Sequence, residues 1–124
     1  MNTSHLGLLN VKVVALGVTE PERARRFYGE TLGLEPAYEG DVEVGFYLGD
    51  TLLMLKSDGS LEPTDSPNPR ITFETVDAIR TEQELRAHDI LIPDRVAPYD
   101  DYLVGSFLDS EGNKLWFCSE ASEA

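Results

Sequence analysis

Two short stretches carry the side chains best suited to chemistry. Arg70, Thr72 and Glu74 alternate along one, and Lys114, Trp116 and Cys118 alternate along the other. In an extended strand, that spacing puts each trio on one face. Arg70 presents a planar fork of donors that can clamp a carboxylate at two points. It can equally pair with Glu74, four residues along the same face. Glu74 suits a general base where desolvation raises its pKa. Pairing with Arg70 or Lys114 is its simpler role. Trp116 offers a flat apolar surface for a planar ligand, or bulk to fill space. Tyr99 and Tyr102 flank Asp100 and Asp101. Aromatic and acidic residues together on a loop suit a cationic aromatic ligand, and a solvated loop with one tyrosine packed down is their simpler role. Cys118 has no base beside it and reads as a small packing residue, so covalent catalysis is not expected.

The elements that must position these residues follow from pattern. Residues 10–18, NVKVVALGV, are rich in β-branched side chains and read as a strand. A helix follows, with Thr19 as N-cap and Pro21 in the first turn, where its missing N–H costs nothing. Ala24, Phe27, Tyr28 and Leu32 form its apolar stripe, and Gly33 ends it. Short apolar runs beginning at Glu35, Val42 and Thr51 read as strands, with a Gly-Asp turn at 49–50. Residues 57–69 hold three prolines and no periodicity, and read as a linker. The order then repeats. Arg70–Val76 is a predicted strand and Asp77–His88 a helix, with Thr81 and Glu84 able to form a capping box if it starts late. Ile90–Arg95, Leu103–Leu108 and Lys114–Ser119 are predicted strands. Leu16-Gly17-Val18-Thr19-Glu20 matches Phe73-Glu74-Thr75-Val76-Asp77, which marks a tandem repeat.

Bulk properties narrow the function. A chain of 124 residues fits one domain with a core of its own. Asp and Glu number 23 against 10 Lys and Arg, a net charge of −13. Such a surface repels phosphate backbones and anionic lipid, so neither nucleic acid nor a membrane is an expected partner. It attracts cations, although solubility or salt adaptation explains the charge more simply. The longest mostly apolar stretch near the start, 6–18, is broken by Asn10 and Lys12 and is too short and polar for a bilayer. No basic segment precedes an apolar run, so a secretory signal is not expected. A single cysteine excludes an internal disulfide and fits a cytoplasmic location.

The segment TEPERARRFYGETLGL after the first strand resembles the opening of a vicinal-oxygen-chelate protein, of the glyoxalase/bleomycin-resistance/dioxygenase superfamily. The closing FLDSEGNKLWF, residues 107–117, resembles that family's last hairpin. With the repeat, the resemblance covers about residues 10–120. It implies an α+β fold: one domain over 1–124, with βαβββ modules at about 8–57 and 70–120, and strands curled into an open barrel around a cavity with the helices outside. Family enzymes hold a divalent metal there through one residue from the first and last strand of each module. The matching residues here are Val13, Met54, Arg70 and Trp116, none of which is a usual ligand for such an ion. His5 and His88 fall outside the motif. No metal and no cofactor are therefore expected.

By strand alternation, Val13, Ala15 and Gly17, together with Leu52, Met54 and Lys56, face the cavity in the first module. Arg70, Thr72 and Glu74, with Lys114, Trp116 and Cys118, face it in the second. Met54 fills space. The expected ligand-binding residues are Val13, Met54, Arg70, Thr72, Glu74, Tyr99, Tyr102, Lys114 and Trp116, and Glu74 is the one catalytic candidate. The expected function is metal-independent small-molecule binding by a homodimer, for example sequestration of an aromatic or cationic compound. The alternative is a lyase, isomerase or dioxygenase-type enzyme working without the usual ligands or with a displaced metal.

Overall fold

The computed structural model describes residues 5–121. The chain divides into two compact units between Leu61 and Glu62, inside the proline-rich segment. Each is a βαβββ module with a four-stranded mixed sheet, the α+β architecture expected from the repeat.

The first unit runs β1 (Val13–Gly17), α1 (Pro21–Arg26), β2 (Glu35–Glu39), β3 (Val42–Leu48) and β4 (Thr51–Lys56). Its sheet order is β1-β4-β3-β2, with β1 parallel to β4 and the other pairs antiparallel. The helix begins one residue later than expected, with Glu20 rather than Thr19 at the N-cap. It continues into a wider π-type turn over Phe27–Thr31. That turn carries Phe27 and Tyr28 into the core beside Ala24, and Tyr28 stacks on Phe46 of β3 with ring centroids 6.4 Å apart. Gly33, at φ 72°, adopts the left-handed conformation that closes the helix.

The second unit runs β5 (Thr72–Glu74), α2 (Ala78–Ala87), β6 (Ala97–Tyr99), β7 (Tyr102–Leu108) and β8 (Lys114–Glu120). Its order, β5-β8-β7-β6, repeats that of the first. Asp77 caps α2, accepting from the N–H groups of Ile79 and Arg80 at 3.1 and 3.3 Å. The Thr81–Glu84 capping box does not form, because Thr81 lies a turn inside the helix and its hydroxyl bonds that of Thr75 at 2.6 Å. Leu115 and Phe117 of β8 and Phe107 of β7 bury one sheet face, with Ala78 and Leu85 of α2 also buried.

The expected strand Ile90–Arg95 is not one. The second strand of this module is β6, in the stretch read as the start of a loop. The reason is proline. Pro93 interrupts the first segment, and Pro98 is tolerated in β6 because β6 lies at the sheet edge. Residues 91–94 still touch β7 irregularly: Leu91 and Asp94 carbonyls accept from Leu108 and Ser106 N–H groups at 3.1 and 3.0 Å. The predicted strand Arg70–Val76 shortens to three residues, so Arg70 precedes it.

Gly45 of β3 packs directly against the β4 backbone. A Cβ there would overlap the carbonyl oxygen of Leu53 on β4, which is backbone and cannot swing aside. Gly45→Ala should destabilise the protein by about 1–3 kcal/mol, the usual cost of overpacking. Urea unfolding measures this, and an unchanged midpoint would contradict so tight a β3–β4 contact.

Candidate functional site

Register decides which side chains meet. Thr72 stands opposite Trp116, and Glu74 opposite Cys118. Across β7, Ser106 pairs with Trp116 and Val104 with Cys118, and across β6, Ala97 pairs with Val104 and Tyr99 with Tyr102. Directly opposed residues share a face. All of these therefore project from the side of the second sheet opposite the Leu115–Phe117 core face.

That side holds a concavity of about 730 Å³. Arg70, just before β5, lines it with Thr72 of β5 and Trp116 of β8. Tyr99, Tyr102 and Val104 line it from β6 and β7. Pro93, Asp94 and Arg95 form a further wall from the segment before β6. Cys118 also faces it.

Trp116 is half-buried and carries two cations. The Arg70 guanidinium carbon lies 4.1 Å from the ring centroid, and the Lys114 Nζ 4.6 Å. Lys114 also pairs with Asp94 at 2.6 Å. Ser106 completes the arrangement: its hydroxyl donates to Asp94 Oδ2 at 2.7 Å, and the Asp94 N–H donates to that hydroxyl oxygen at 3.1 Å. The Lys114 ammonium, then the Ser106 hydroxyl, hold the Asp94 carboxyl below its ordinary pKa. This clamp fixes the 93–95 wall against β7 and β8. Glu82 on α2 fixes its far end, accepting from the Val96 N–H at 2.7 Å and from Arg86 at 2.8 Å. The Val96 N–H is the main cause of its lowered pKa.

The expected residues divide. Arg70, Thr72, Tyr99, Tyr102 and Trp116 line one concavity, with Lys114 against Trp116. Glu74 shares their face but is exposed and does not line it. No ion pair links Glu74 to Arg70 or Lys114; Arg70 lies on the Trp116 ring, and Lys114 pairs with Asp94. Val13 and Met54 belong to the first unit, where register puts them on a common face: Met54 pairs with Ala15, two residues after Val13. Asp100 and Asp101 do not line the large concavity. They border a separate recess of about 530 Å³ with Tyr102 and Glu120.

Asp94, Ser106 and Arg95 were not singled out in the sequence. No local motif marks them, since Asp94 and Ser106 meet only through the fold. Val13, Met54, Arg70 and Trp116 offer no carboxylate, imidazole or amide, so these four do not fit a hard or borderline divalent ion. Among the described residues, no group of three or more His, Cys, Asp or Glu is placed to hold a metal.

Because the Asp94 pKa is lowered in the folded protein, its contribution to stability is present above the unfolded value of about 3.9 and is lost as pH falls through the folded one. Lys114→Met removes the main cause. Both partners are partly exposed, so the variant should lose no more than about 1 kcal/mol at neutral pH. The difference should shrink as pH falls below the unfolded value. Chemical unfolding across an acid pH series checks this, and a pH-independent difference would assign the loss to packing on Trp116.

Comparisons place this geometry among known proteins. The fold matches a glyoxalase family protein from Bacillus anthracis with a TM-score of 0.76 and 21% identity, covering 97% of this chain and 99% of that one. It matches a glyoxalase/dioxygenase from Nostoc punctiforme at 0.74 and 20%, covering 97% of each chain. An antibiotic-binding protein from Streptomyces sp. CB03234 matches at 0.72 and 19%, covering 94% of this chain and 99% of that one. No curated protein matches the chain. Residues 10–117 match the family profile. The chain belongs to the Glyoxalase/Bleomycin resistance protein/Dioxygenase superfamily.

Proposed function

We propose that this protein binds a planar small molecule on the concave face of its second sheet, without the metal that family enzymes use. The observation carrying this reading is Trp116. Its ring lies half-buried in a concavity lined by two tyrosines, while its cations keep their charged heads at the same surface. An apolar recess with a few placed polar groups is the usual form of a small-molecule site. The donor-poor residues at positions 13, 54, 70 and 116 support independence from a metal. The Streptomyces antibiotic-binding protein is a precedent for ligand binding on this fold.

The cationic alternative rests on Asp100 and Asp101, and their separate recess weakens it. Enzymatic action through Glu74 is weakened likewise. An exposed carboxylate outside the concavity has neither the desolvation nor the position a general base needs.

We also read the protein as one glyoxalase-like domain acting as a homodimer in a reducing cytoplasm. The lone cysteine supports the setting. The open edges of each sheet, β1 and β2, β5 and β6, support the association, because unpaired edges favour being covered. Sedimentation should show a species of twice the chain's 13.8 kDa at micromolar concentration, and only monomer would end this part of the proposal.

Trp116 is the chain's one tryptophan, so its fluorescence reports on the site directly. A panel of two- and three-ring planar aromatics should contain members that change its emission saturably. Calorimetry should show Trp116→Ala weakening those members by roughly tenfold or more, as expected of an aromatic anchor. A panel that leaves Trp116 unperturbed, or a variant that binds as well as the parent, would place binding elsewhere.

A further inference from the structure

The whole protein is strongly acidic, yet the concavity is not. Its charged lining is Arg70 and Arg95 against Asp94 alone, and Asp94 is already paired with Lys114. The acids that could reverse the sign, Asp100, Asp101 and Glu120, border the other recess, and Glu74 lies outside the lining.

Arg70 is presented in an unusual way. Its guanidinium carbon lies 4.1 Å from the Trp116 ring centroid, so the cation rests on the aromatic surface. A guanidinium carries five N–H donors in one plane, a fork that matches a carboxylate at two points. Among the described residues, none of them donates to a protein acceptor, and no carboxylate lies within ion-pairing distance of Arg70 or Arg95. Asp94 is the nearest candidate to neutralise Arg70. Its Oδ2 holds both Lys114 and Ser106, while Arg70 stays beyond ion-pairing distance and acts on the carboxylate only through its field.

Resting on the proposed binding at this face, we infer that the ligand is an anionic planar aromatic compound: a ring system with a carboxylate or an ionised phenol or enol. The ring lies against Trp116, Tyr99 and Tyr102, and its anionic group takes the in-plane N–H groups of Arg70, with Arg95 adding positive potential. Charge-assisted, two-point contacts of this kind are the stronger class of hydrogen bond. A cationic ligand meets Arg70, Arg95 and Lys114 at the same surface and is disfavoured there. The chain's overall negative charge slows the approach of any anion, so selectivity arises in the bound state.

The test uses three probes with one skeleton: naphthalene-2-carboxylate, naphthalene-2-carboxamide and naphthalene-2-carboxamidine. Each is titrated into the full protein at neutral pH and low salt, with Trp116 emission and calorimetry as readouts. The carboxylate should bind at least roughly tenfold tighter than the amide, a difference of about 1.4 kcal/mol, and the amidine weakest. Arg70→Gln should remove most of the carboxylate's advantage over the amide, read as the ratio of the two affinities within the variant. Both side chains are exposed, so neither Arg70→Gln nor Arg95→Gln should disturb the core, and the double variant should abolish the preference entirely. Equal binding of all three probes, or tightest binding of the amidine, would overturn the inference while leaving the site in place. Failure of every probe to perturb Trp116 would remove the proposed site and the inference with it.

Discussion

The second unit depends on the alternation of β8. Leu115 and Phe117 enter the buried core beneath α2, while Lys114, Trp116 and Cys118 project the other way. Both ends of the strand are held. At its start, Asp109 accepts from the N–H groups of Glu111 and Asn113, each at 2.8 Å, and Asn113 Oδ1 accepts from Thr64 at 3.0 Å. At its end, buried Ser119 accepts from the Ala78 N–H that opens α2, at 2.8 Å. A slip of one residue would exchange the two faces, driving Trp116 and Lys114 into the core and Phe117 out of it. The site is therefore as well determined as the core, because one strand builds both.

From this register the electrostatics follow. Lys114 leaves β8 two residues before Trp116, on the same face, and reaches Asp94 in the segment before β6. Ser106, opposite Trp116 on β7, supplies the second hold on the same carboxylate. One salt bridge and one hydroxyl thus tie three parts of the chain together around the concavity. Their further consequence is a local surface whose sign differs from that of the chain. Net charge of −13 describes the approach of a ligand, and the arginines beside Trp116 describe what it meets on arrival.

Much of this was legible in the sequence. The tandem repeat gave both modules, because each βαβββ unit leaves the same periodic trace, and the 107–117 segment gave the last hairpin. Alternation along β5 and β8 correctly put Thr72 with Trp116 on one face. What escaped was tertiary. Ile90–Arg95 has the composition of a strand, and only the competing effect of Pro93 moves the strand on to Ala97–Tyr99. Asp94 and Ser106 are ordinary residues in their own segments, twelve apart, and acquire a role when the fold joins them. The partnership of Arg70 with Trp116 rather than Glu74 likewise turns on Arg70 lying before β5 instead of within it. A side chain outside the ladder is released from strand alternation and can lie across the neighbouring ring.

The central claim is ligand binding without a metal, with a tryptophan and an arginine where the resemblance places two metal ligands. Its most direct test is the metal content of the purified protein, measured by mass spectrometry alongside an aromatic ligand titration before and after exhaustive chelation. The account predicts far less than one equivalent of zinc, nickel, iron or manganese, and affinity that chelation does not change. One tightly held equivalent of any of these ions, with binding lost on its removal and restored on its return, would contradict it.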